Sequence, residues 1–310
     1  MLQLPSQDEL NINFKQVFLP ILEELEVKRL KLWNLVRFLY ISGAVSVVLF
    51  IISEYQKNLL KIIFFTTAFL CFWLASSLQR PYKNDFKNKI IKPLLDSILP
   101  NSSFLPHSGL SEAEFFNSKL YNQEKSLFSF KSEDLIECNI ENLNLKMSEV
   151  TLLKYTTKKK KSTEGVFSGL AGFTPLNSSV LGGELRFVPK KYTTKFNNLA
   201  IVKLESPRLA EIYNIYSNDQ VFARFILNPA VMDYILDLHE RFYQEITISI
   251  TDQKLHFNWS HAVNLFEADI TLKATSETQY YKFVNEILLI IKIIRQLKIN
   301  RQSWGKVGVQ

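Results

Sequence analysis

FLYISGAVSVVLFIIS at residues 38–53 and LLKIIFFTTAFLCFWLASSL at residues 59–78 are the two stretches that decide how this chain folds. The first contains no charged residue, and the second contains one, Lys61, close enough to its end for the side chain to reach the lipid headgroups. About 20 apolar residues in a helix cross the roughly 30 Å hydrocarbon core of a bilayer. A long core helix of a soluble protein usually carries one polar stripe, and neither stretch has one. The two stretches therefore predict a transmembrane helical hairpin.

The charges that flank the hairpin predict its orientation. Lys and Arg are retained on the cytoplasmic side of a span, and here they concentrate at the outer ends of the two stretches, whereas only Lys57 and Lys61 lie near the connection. Both termini are therefore expected in the cytoplasm. The two cysteines, Cys71 and Cys138, form no disulfide framework, which agrees with a reducing compartment. The basic residues at the outer ends are Lys28, Arg29, Lys31, Arg37, Arg80, Lys83, Lys87, Lys89 and Lys92.

Amphipathic helices are predicted on both sides of the hairpin. Apolar residues recur at helical spacing from Phe14 to Leu25, with a bend or break expected at Pro20. The same spacing recurs from Phe86 until Pro100. We expect the two helices to pack together as a stalk below the bilayer. In the alternative, the first helix lies flat on the membrane surface, but its acidic face argues against strong attraction to anionic lipid.

Beyond Pro100 the sequence pattern changes to short alternating segments that are typical of strands. A hairpin is predicted where residues 245–251 alternate, Asp252-Gln253 turns, and residues 254–259 return. Two helices are predicted, at 229–242 with Asn228 as cap and at 278–297. This arrangement predicts an α+β fold, a mainly antiparallel sheet packed by helices. The other predicted strands cover residues 127–130, 135–140, 143–147, 150–155, 165–173, 184–188 and 200–204.

The predicted organisation has four parts. Residues 1–36 form the N-terminal stalk helix, residues 37–79 the two-span hairpin, residues 80–99 the second stalk helix, and residues 100–310 a cytoplasmic α+β domain. The roughly 210 residues after the stalk are enough for one domain with its own core.

The segment VKLESPRLAEIYNIYSNDQVFARFILNPAVMDYILDL, residues 202–238, resembles a family of bacterial membrane proteins catalogued as domain of unknown function 3137. Asp219, Arg224 and Pro229 match places that this family occupies with the same residue types. Shorter matches are SEV at 148–150, VFSGL at 166–170 and NLFE at 264–267, whereas AGFTPLNSSVLGG, which follows VFSGL, departs from the family's aromatic residues and lysine. The resemblance implies a two-span protein of the bacterial cytoplasmic (inner) membrane, and the family carries no established activity.

The sequence contains no motif for a cofactor, a metal or a catalytic triad. No phosphate-binding glycine loop is present, and Ser168 in GVFSG lies one position away from a nucleophile elbow. His256 and His261 are five residues apart in a predicted strand, which puts them on opposite faces. Cys138 is expected to be a small core residue. The sequence therefore predicts no cofactor and favours a protein that is not an enzyme.

Two groups of residues are candidate sites. Lys158, Lys159, Lys160 and Lys161 form a basic loop that would be attracted to anionic lipid headgroups, unless it is only a solvated hairpin tip. Asp219 and Arg224 form a candidate ligand-contacting pair, or else a structural pair of helix cap and surface arginine.

The function that these features favour is a membrane-anchored cytoplasmic binding or scaffold module. Its expected partners are the lipid bilayer, anionic headgroups, and a protein partner or further copies of the chain. The net charge of +7 argues only weakly for nucleic acid because much of it borders the membrane. One alternative is an oligomeric small channel or transporter component, which needs small and polar residues on the spans; the chain offers Ser42, Gly43, Ser46, Thr66 and Thr67. A membrane-tethered hydrolase has the least support.

Overall fold

The computed structural model describes residues 5–53, 58–99, 101–121, 128–140, 143–155, 163–176, 183–191, 196, 198–203, 206–242, 245–260 and 265–299. The chain divides into two compact units. The helical unit comprises residues 4–94 and 266–285, and the sheet unit comprises residues 1–3, 95–265 and 286–310.

The helical unit begins with helix α1 (Gln7–Asn13), whose first turn is closed by a capping box between Ser6 and Glu9. A π-helical turn (Phe14–Phe18) follows, and helix α2 (Leu19–Ile52) continues from it. The predicted break at Pro20 is wrong. In the π-helical turn, the amide of Leu19 donates to the carbonyl of Phe14. Pro20 lies in the first turn of α2, a position where the N–H group that proline lacks is not needed for a helical hydrogen bond.

Helix α3 (Asn58–Phe86) runs antiparallel to α2. It continues through a second π-helical turn (Lys87–Ile91) into helix α4 (Lys92–Ile98). The Lys28 ammonium lies 3.0 Å from the Asp85 carboxylate, and at the other end the rings of Phe50 and Phe65 lie 6.2 Å apart. The predicted pair of packed helical arms is therefore present.

Two continuous helical stretches, Gln7–Ile52 and Leu59–Ile98, are long and apolar enough to cross a membrane. Only 17% and 11% of their most apolar 18-residue windows are buried within the protein. Core helices of a soluble protein would be mostly buried, so these two helices expose their apolar side chains.

Residues 266–285 belong to the helical unit although residue 266 lies 172 positions after residue 94, where the first part of that unit ends. The ring of Tyr280 packs 4.9 Å from that of Phe14 and 5.3 Å from that of Phe18, and the ring of Phe283 packs 5.8 Å from that of Phe86. These aromatic contacts bury apolar area on the helices outside the two apolar stretches. The domain that the sequence predicts for residues 100–310 stays a prediction.

The core of the sheet unit is one nine-stranded, fully antiparallel sheet with the order β1-β2-β3-β4-β9-β8-β5-β7-β6. With its helices, it gives the predicted α+β fold. The strands are β1 (Ser103–Leu105), β2 (Phe128–Ile140), β3 (Leu143–Tyr155), β4 (Thr163–Pro175), β5 (Leu185–Pro189), β6 (Ala200–Ile201), β7 (Tyr213–Ser217), β8 (Ile246–Thr251) and β9 (Lys254–Ser260). The helices beyond α4 are α5 (Glu112–Phe116), α6 (Pro207–Ile212), α7 (Gln220–Ile226), α8 (Pro229–Phe242) and α9 (Glu277–Ile299).

Several predicted strands fuse into longer ones. β2 joins two predicted strands across a bulge at Asp134, whose φ of 58° is left-handed, and β3 is continuous where two strands were predicted. Gly169 allows the close approach of β4 and β9, because a Cβ there would lie 2.0 Å from the carbonyl oxygen of Trp259 and its φ is 154°.

The predicted hairpin and helix cap are confirmed. β8 and β9 are joined by Asp252 and Gln253, which both have positive φ, as the right-handed twist of a tight hairpin requires. The side chain of Asn228 accepts from the amide of Val231 at the start of α8.

Candidate functional site: a polar groove on the sheet

One row of side chains crosses the whole sheet on a single face. Because directly paired residues of antiparallel strands point to the same face, the pairing register defines this row without gaps. Most of its members are polar, while the residues on either side of them in each central strand are apolar. The row runs Ser103, Glu137, Lys146, Phe173, His256, Ser249, Arg186, Tyr216, Ile201.

The middle of this face is covered by residues 108–121, which include α5. The covering segment is held through side chains of the sheet: the hydroxyl of Ser249 donates to the Ser118 carbonyl at 2.6 Å, and the hydroxyl of Ser148 accepts from the Leu110 amide at 3.1 Å. Phe115 and Phe116 fill the apolar part of the same face. Polar residues on the central strands therefore satisfy backbone groups that burial would otherwise leave unpaired.

The β1 end of the same face is an open groove of about 500 Å³. Its floor consists of two neighbouring rows of side chains, Ser103–Glu137–Lys146–Phe173 and, one step along the strands, Asn139–Asn144–Pro175. Asn101, Cys138 and Leu145 complete the lining.

Charge and amide groups in the groove are partly paired with one another. The Lys146 ammonium lies 2.8 Å from the Glu114 carboxylate and 3.7 Å from that of Glu137, and Asn139 donates to Asn144 at 2.9 Å. The hydrogen bond that Lys146 donates to the Glu114 carboxylate raises the pKa of Lys146. Burial opposes ionisation of Glu114, yet its hydrogen bonds with Lys146 and Ser111 leave the pKa of this carboxyl lowered. A charged lysine, carboxylates and amides therefore face the same small volume.

A buried ionic network lies on the same row, beyond the covered part. Arg186 is 2% exposed and donates to the Ile250 carbonyl at 3.0 Å and to the Glu184 carboxylate at 3.1 Å. Lys119 pairs with Glu184 at 3.1 Å and with Asp252 at 3.3 Å, which ties the covering segment to the β8–β9 turn. Burial lowers the pKa of Arg186 and Glu184 opposes this shift. We interpret this network as a structural tie, because its charged groups are directed at one another.

His256 lies between the groove and this network. Burial, followed by repulsion from Lys254 and Arg186, lowers the pKa of His256 to about 4. The imidazole is therefore neutral at neutral pH, and its ring packs 5.7 Å from that of Phe173. Among the described residues, no group of three His, Cys, Asp or Glu side chains is arranged to hold a metal ion.

The other residues singled out for chemistry are far from a reactive geometry. Burial raises the pKa of Cys138 to about 12, so its thiol is unreactive at neutral pH. Ser168 lies in the middle of β4, paired with Thr151, and not at a strand-to-helix turn. His261 lies outside the described residues.

The predicted lipid-contacting residues Lys158, Lys159, Lys160 and Lys161 also lie outside the described residues. The Asp219 carboxylate caps α7, where it accepts from the amides of Val221 at 2.9 Å and Phe222 at 3.0 Å. Arg224 is exposed in the last turn of the same helix. Among the described residues, the Asp219 carboxylate and the Arg224 guanidinium form no ion pair with each other.

The groove residues were not predicted from the sequence, although a signal for them exists. Polar and apolar residues alternate in ECNI (137–140) and again in LNLK (143–146), and EN (141–142) lies between them. A two-residue connection at 141–142 pairs Asn139 with Asn144 and Glu137 with Lys146 on one face. Treating residues 141–142 as a tight turn would have brought these four side chains together.

The fold and the groove define an α+β protein in which a nine-stranded antiparallel sheet follows two long exposed apolar helices. Residues 166–299 match the model of the family described as "Protein of unknown function (DUF3137)", which confirms the resemblance found in the sequence. No curated protein matches the chain. The solved structure of the mycobacterial trehalose monomycolate transport factor A, TtfA, aligns with 66% of this chain and 92% of its own chain at 9% identity. Its TM-score of 0.35 is too low for that likeness to carry an inference.

Proposed function

We propose that this protein is a binding module anchored in the bacterial cytoplasmic membrane by the helical hairpin, with both termini in the cytoplasm. The observation that carries the anchoring is the exposure of large apolar side chains on both helices. Phe38 is 65% exposed, Ile52 67%, Leu59 70% and Phe69 65%. Soluble proteins rarely leave such a continuous apolar surface in water, and lipid is the solvent that it suits.

The binding role is proposed for the groove. Asn139, Asn144, Glu137 and Lys146 present hydrogen-bond donors and acceptors of both charges around an open volume of about 500 Å³. Because Phe173 and Pro175 give much of the lining an apolar character, we expect a small ligand with both apolar and polar groups, which these side chains would orient. The buried Cys138 thiol has a raised pKa and Ser168 lies in the middle of β4, so neither of these candidate nucleophiles supports the hydrolase alternative.

The small and polar residues of the spans differ in exposure. Gly43 and Ser46 are buried, and a Cβ on Gly43 would lie 3.1 Å from the Phe72 ring, so this glycine allows close helix packing. Thr66 and Thr67 are exposed, and the hydroxyl of Thr66 donates to the Ile62 carbonyl of its own helix at 2.9 Å. Gly43 and Ser46 therefore serve packing within the hairpin, and only Thr66 and Thr67 are left for the helix contacts that the channel alternative needs.

Membrane fractionation tests the anchoring. The full chain is expected in the membrane pellet after alkaline carbonate washing, which removes peripheral proteins, and detergent should release it. Recovery of the protein in the carbonate supernatant would contradict the proposal.

Ligand screening tests the groove. Saturation-transfer NMR of the detergent-purified protein against amino acids, sugars and nucleosides is expected to give at least one signal that Asn139→Leu/Asn144→Leu abolishes. The control Asn198→Leu changes an exposed asparagine outside the groove and should keep the signal. Signals that are identical in the groove variant and the wild type would exclude the groove as the site.

A further inference from the structure

Most of the basic residues next to the hairpin fall into two classes. Four that lie farther from the apolar stretches are paired with carboxylates within the helical unit, whereas the exposed Lys92, 14 positions after Leu78, belongs to neither class. Lys28 pairs with Asp85, Arg29 with Glu26, Lys83 with Glu267, and Lys89 with Glu24. These pairs stabilise the stalk, and their charges are already compensated.

Lys31, Arg37 and Arg80 form the second class. All three are exposed, and none of them forms an ion pair or hydrogen bond with any other described residue. Residues 27–53 and 58–84 contain no Asp or Glu, so neither helix offers these cations a carboxylate nearby. Asp269, in the segment packed on the stalk, accepts hydrogen bonds from Thr271 instead.

Arg37 and Arg80 lie at one level of the hairpin, at the edge of the apolar stretches, and Lys31 lies farther along the first helix. Arg37 directly precedes Phe38, and Arg80 lies two residues after Leu78. Lys28 meets Asp85 and Tyr40 meets Gln79, which places Arg80 at the level of residues 33–39 on the antiparallel helix. Residues 31 and 37 are separated by about 9 Å along a helix, which is close to the roughly 5–8 Å depth of a headgroup layer.

We propose that Lys31, Arg37 and Arg80, the basic collar, bind the phosphates of anionic phospholipids at the cytoplasmic boundary of the hairpin. This inference rests on the proposed membrane anchoring. Unpaired guanidinium groups bind phosphate through two hydrogen bonds each, and each basic residue near an anionic leaflet adds attraction. The collar thus selects lipid by charge, while the apolar stretches insert into any bilayer.

The test uses the full chain in detergent, titrated with phosphatidylglycerol or phosphatidylcholine and observed by native mass spectrometry. The wild type is expected to retain phosphatidylglycerol in preference to phosphatidylcholine. Lys31→Gln/Arg37→Gln/Arg80→Gln should weaken phosphatidylglycerol retention about 100-fold, which corresponds to about 1 kcal/mol for each charge removed.

A control variant with the same loss of charge, Lys15→Gln/Lys190→Gln/Lys203→Gln, changes three exposed lysines outside the collar and should bind as the wild type does. Equal retention by the collar variant and the control would overturn the inference. Displacement of the lipid by inorganic phosphate at equal concentration would overturn the assignment to a lipid.

Carbonate washing separates this outcome from the anchoring proposal. The collar variant should remain in the membrane pellet, because its apolar stretches are unchanged. If the wild type itself leaves the membrane, the anchoring proposal fails; if only the lipid preference is missing, the collar inference alone fails.

Discussion

Replacement of Glu26 by alanine should release residues 266–285 from α2. The Glu26 carboxylate binds Arg29 through two hydrogen bonds of 2.7 Å and accepts from the Ala274 amide at 2.8 Å. Arg29 in turn donates to the Ile270 carbonyl at 2.8 Å, and only 5% of its side chain is exposed. The pair thus holds both ends of a five-residue stretch of the packed segment.

The expected loss of packing free energy follows from the groups that Glu26→Ala leaves without a partner. A buried guanidinium without its counter-ion costs about 3–5 kcal/mol, and an unbonded amide costs about 1–3 kcal/mol more. Part of this is recovered when the segment moves away, so we expect a net loss of about 3 kcal/mol in its packing. That loss corresponds to an exchange rate of the Ala274 amide about 100-fold higher.

Hydrogen exchange measured by mass spectrometry on peptides covering residues 266–276 is the assay. Glu23→Ala is the matched control, because Glu23 is exposed on the same helix and has no partner among the described residues. Glu26→Leu/Arg29→Met should recover most of the loss, since replacing both charges removes the uncompensated cation. Unchanged exchange in Glu26→Ala, or an equal rise in Glu23→Ala, would refute the reasoning.

Three further predictions concern single residues. Because burial lowers the pKa of His256 from 6.5 to about 4, the unfolded chain binds a proton that the folded chain excludes. The free energy of unfolding should therefore be highest above pH 6.5 and fall as the pH is lowered toward 4. In urea unfolding, His256→Gln should reduce this dependence of stability on pH. Burial raises the pKa of Cys138 to about 12, so in a Cys71→Ser background its thiol should resist maleimide at pH 7.5 until the protein is unfolded; rapid labelling of the folded protein would be inconsistent with this burial. Asp219→Ala should lose about 1 kcal/mol of unfolding free energy through the lost cap, and Asp219→Asn should not; equal losses would remove the capping explanation.

Local patterns predicted the elements whose structure depends on nearby residues. The β8–β9 hairpin, the Asn228 cap and the two long apolar helices follow from alternation, capping chemistry and apolar length. Helices α5 and α6 were not predicted, because each has six residues or fewer and is held by a cap, at Ser111 and Ser206; α7 was anticipated only in the alternative that made Asp219 a helix cap. Strand β1 has three residues and acquires its conformation only by pairing with β2.

The features that were not predicted from the sequence depend on contacts between residues far apart in the chain. Nothing near residue 270 indicates that its carbonyl binds Arg29, since the partners lie 241 positions apart. The polar row became visible only with the strand order, because β9 pairs with β4 and β5 pairs with both β7 and β8. Of the groove, only the Glu137–Lys146 and Asn139–Asn144 pairs could have been derived from the sequence, through the local β2–β3 pairing.

The depth of Phe69 in a bilayer tests the central proposal most directly. Phe69 lies in the middle of the second apolar stretch with 65% of its area exposed. A spin label at Phe69→Cys, in a Cys71→Ser/Cys138→Ser background reconstituted into vesicles, should collide readily with oxygen and rarely with a water-soluble nickel chelate, as expected in hydrocarbon. A label at Glu23→Cys should show the opposite. Equal access of the nickel chelate to both positions would contradict a membrane-embedded hairpin.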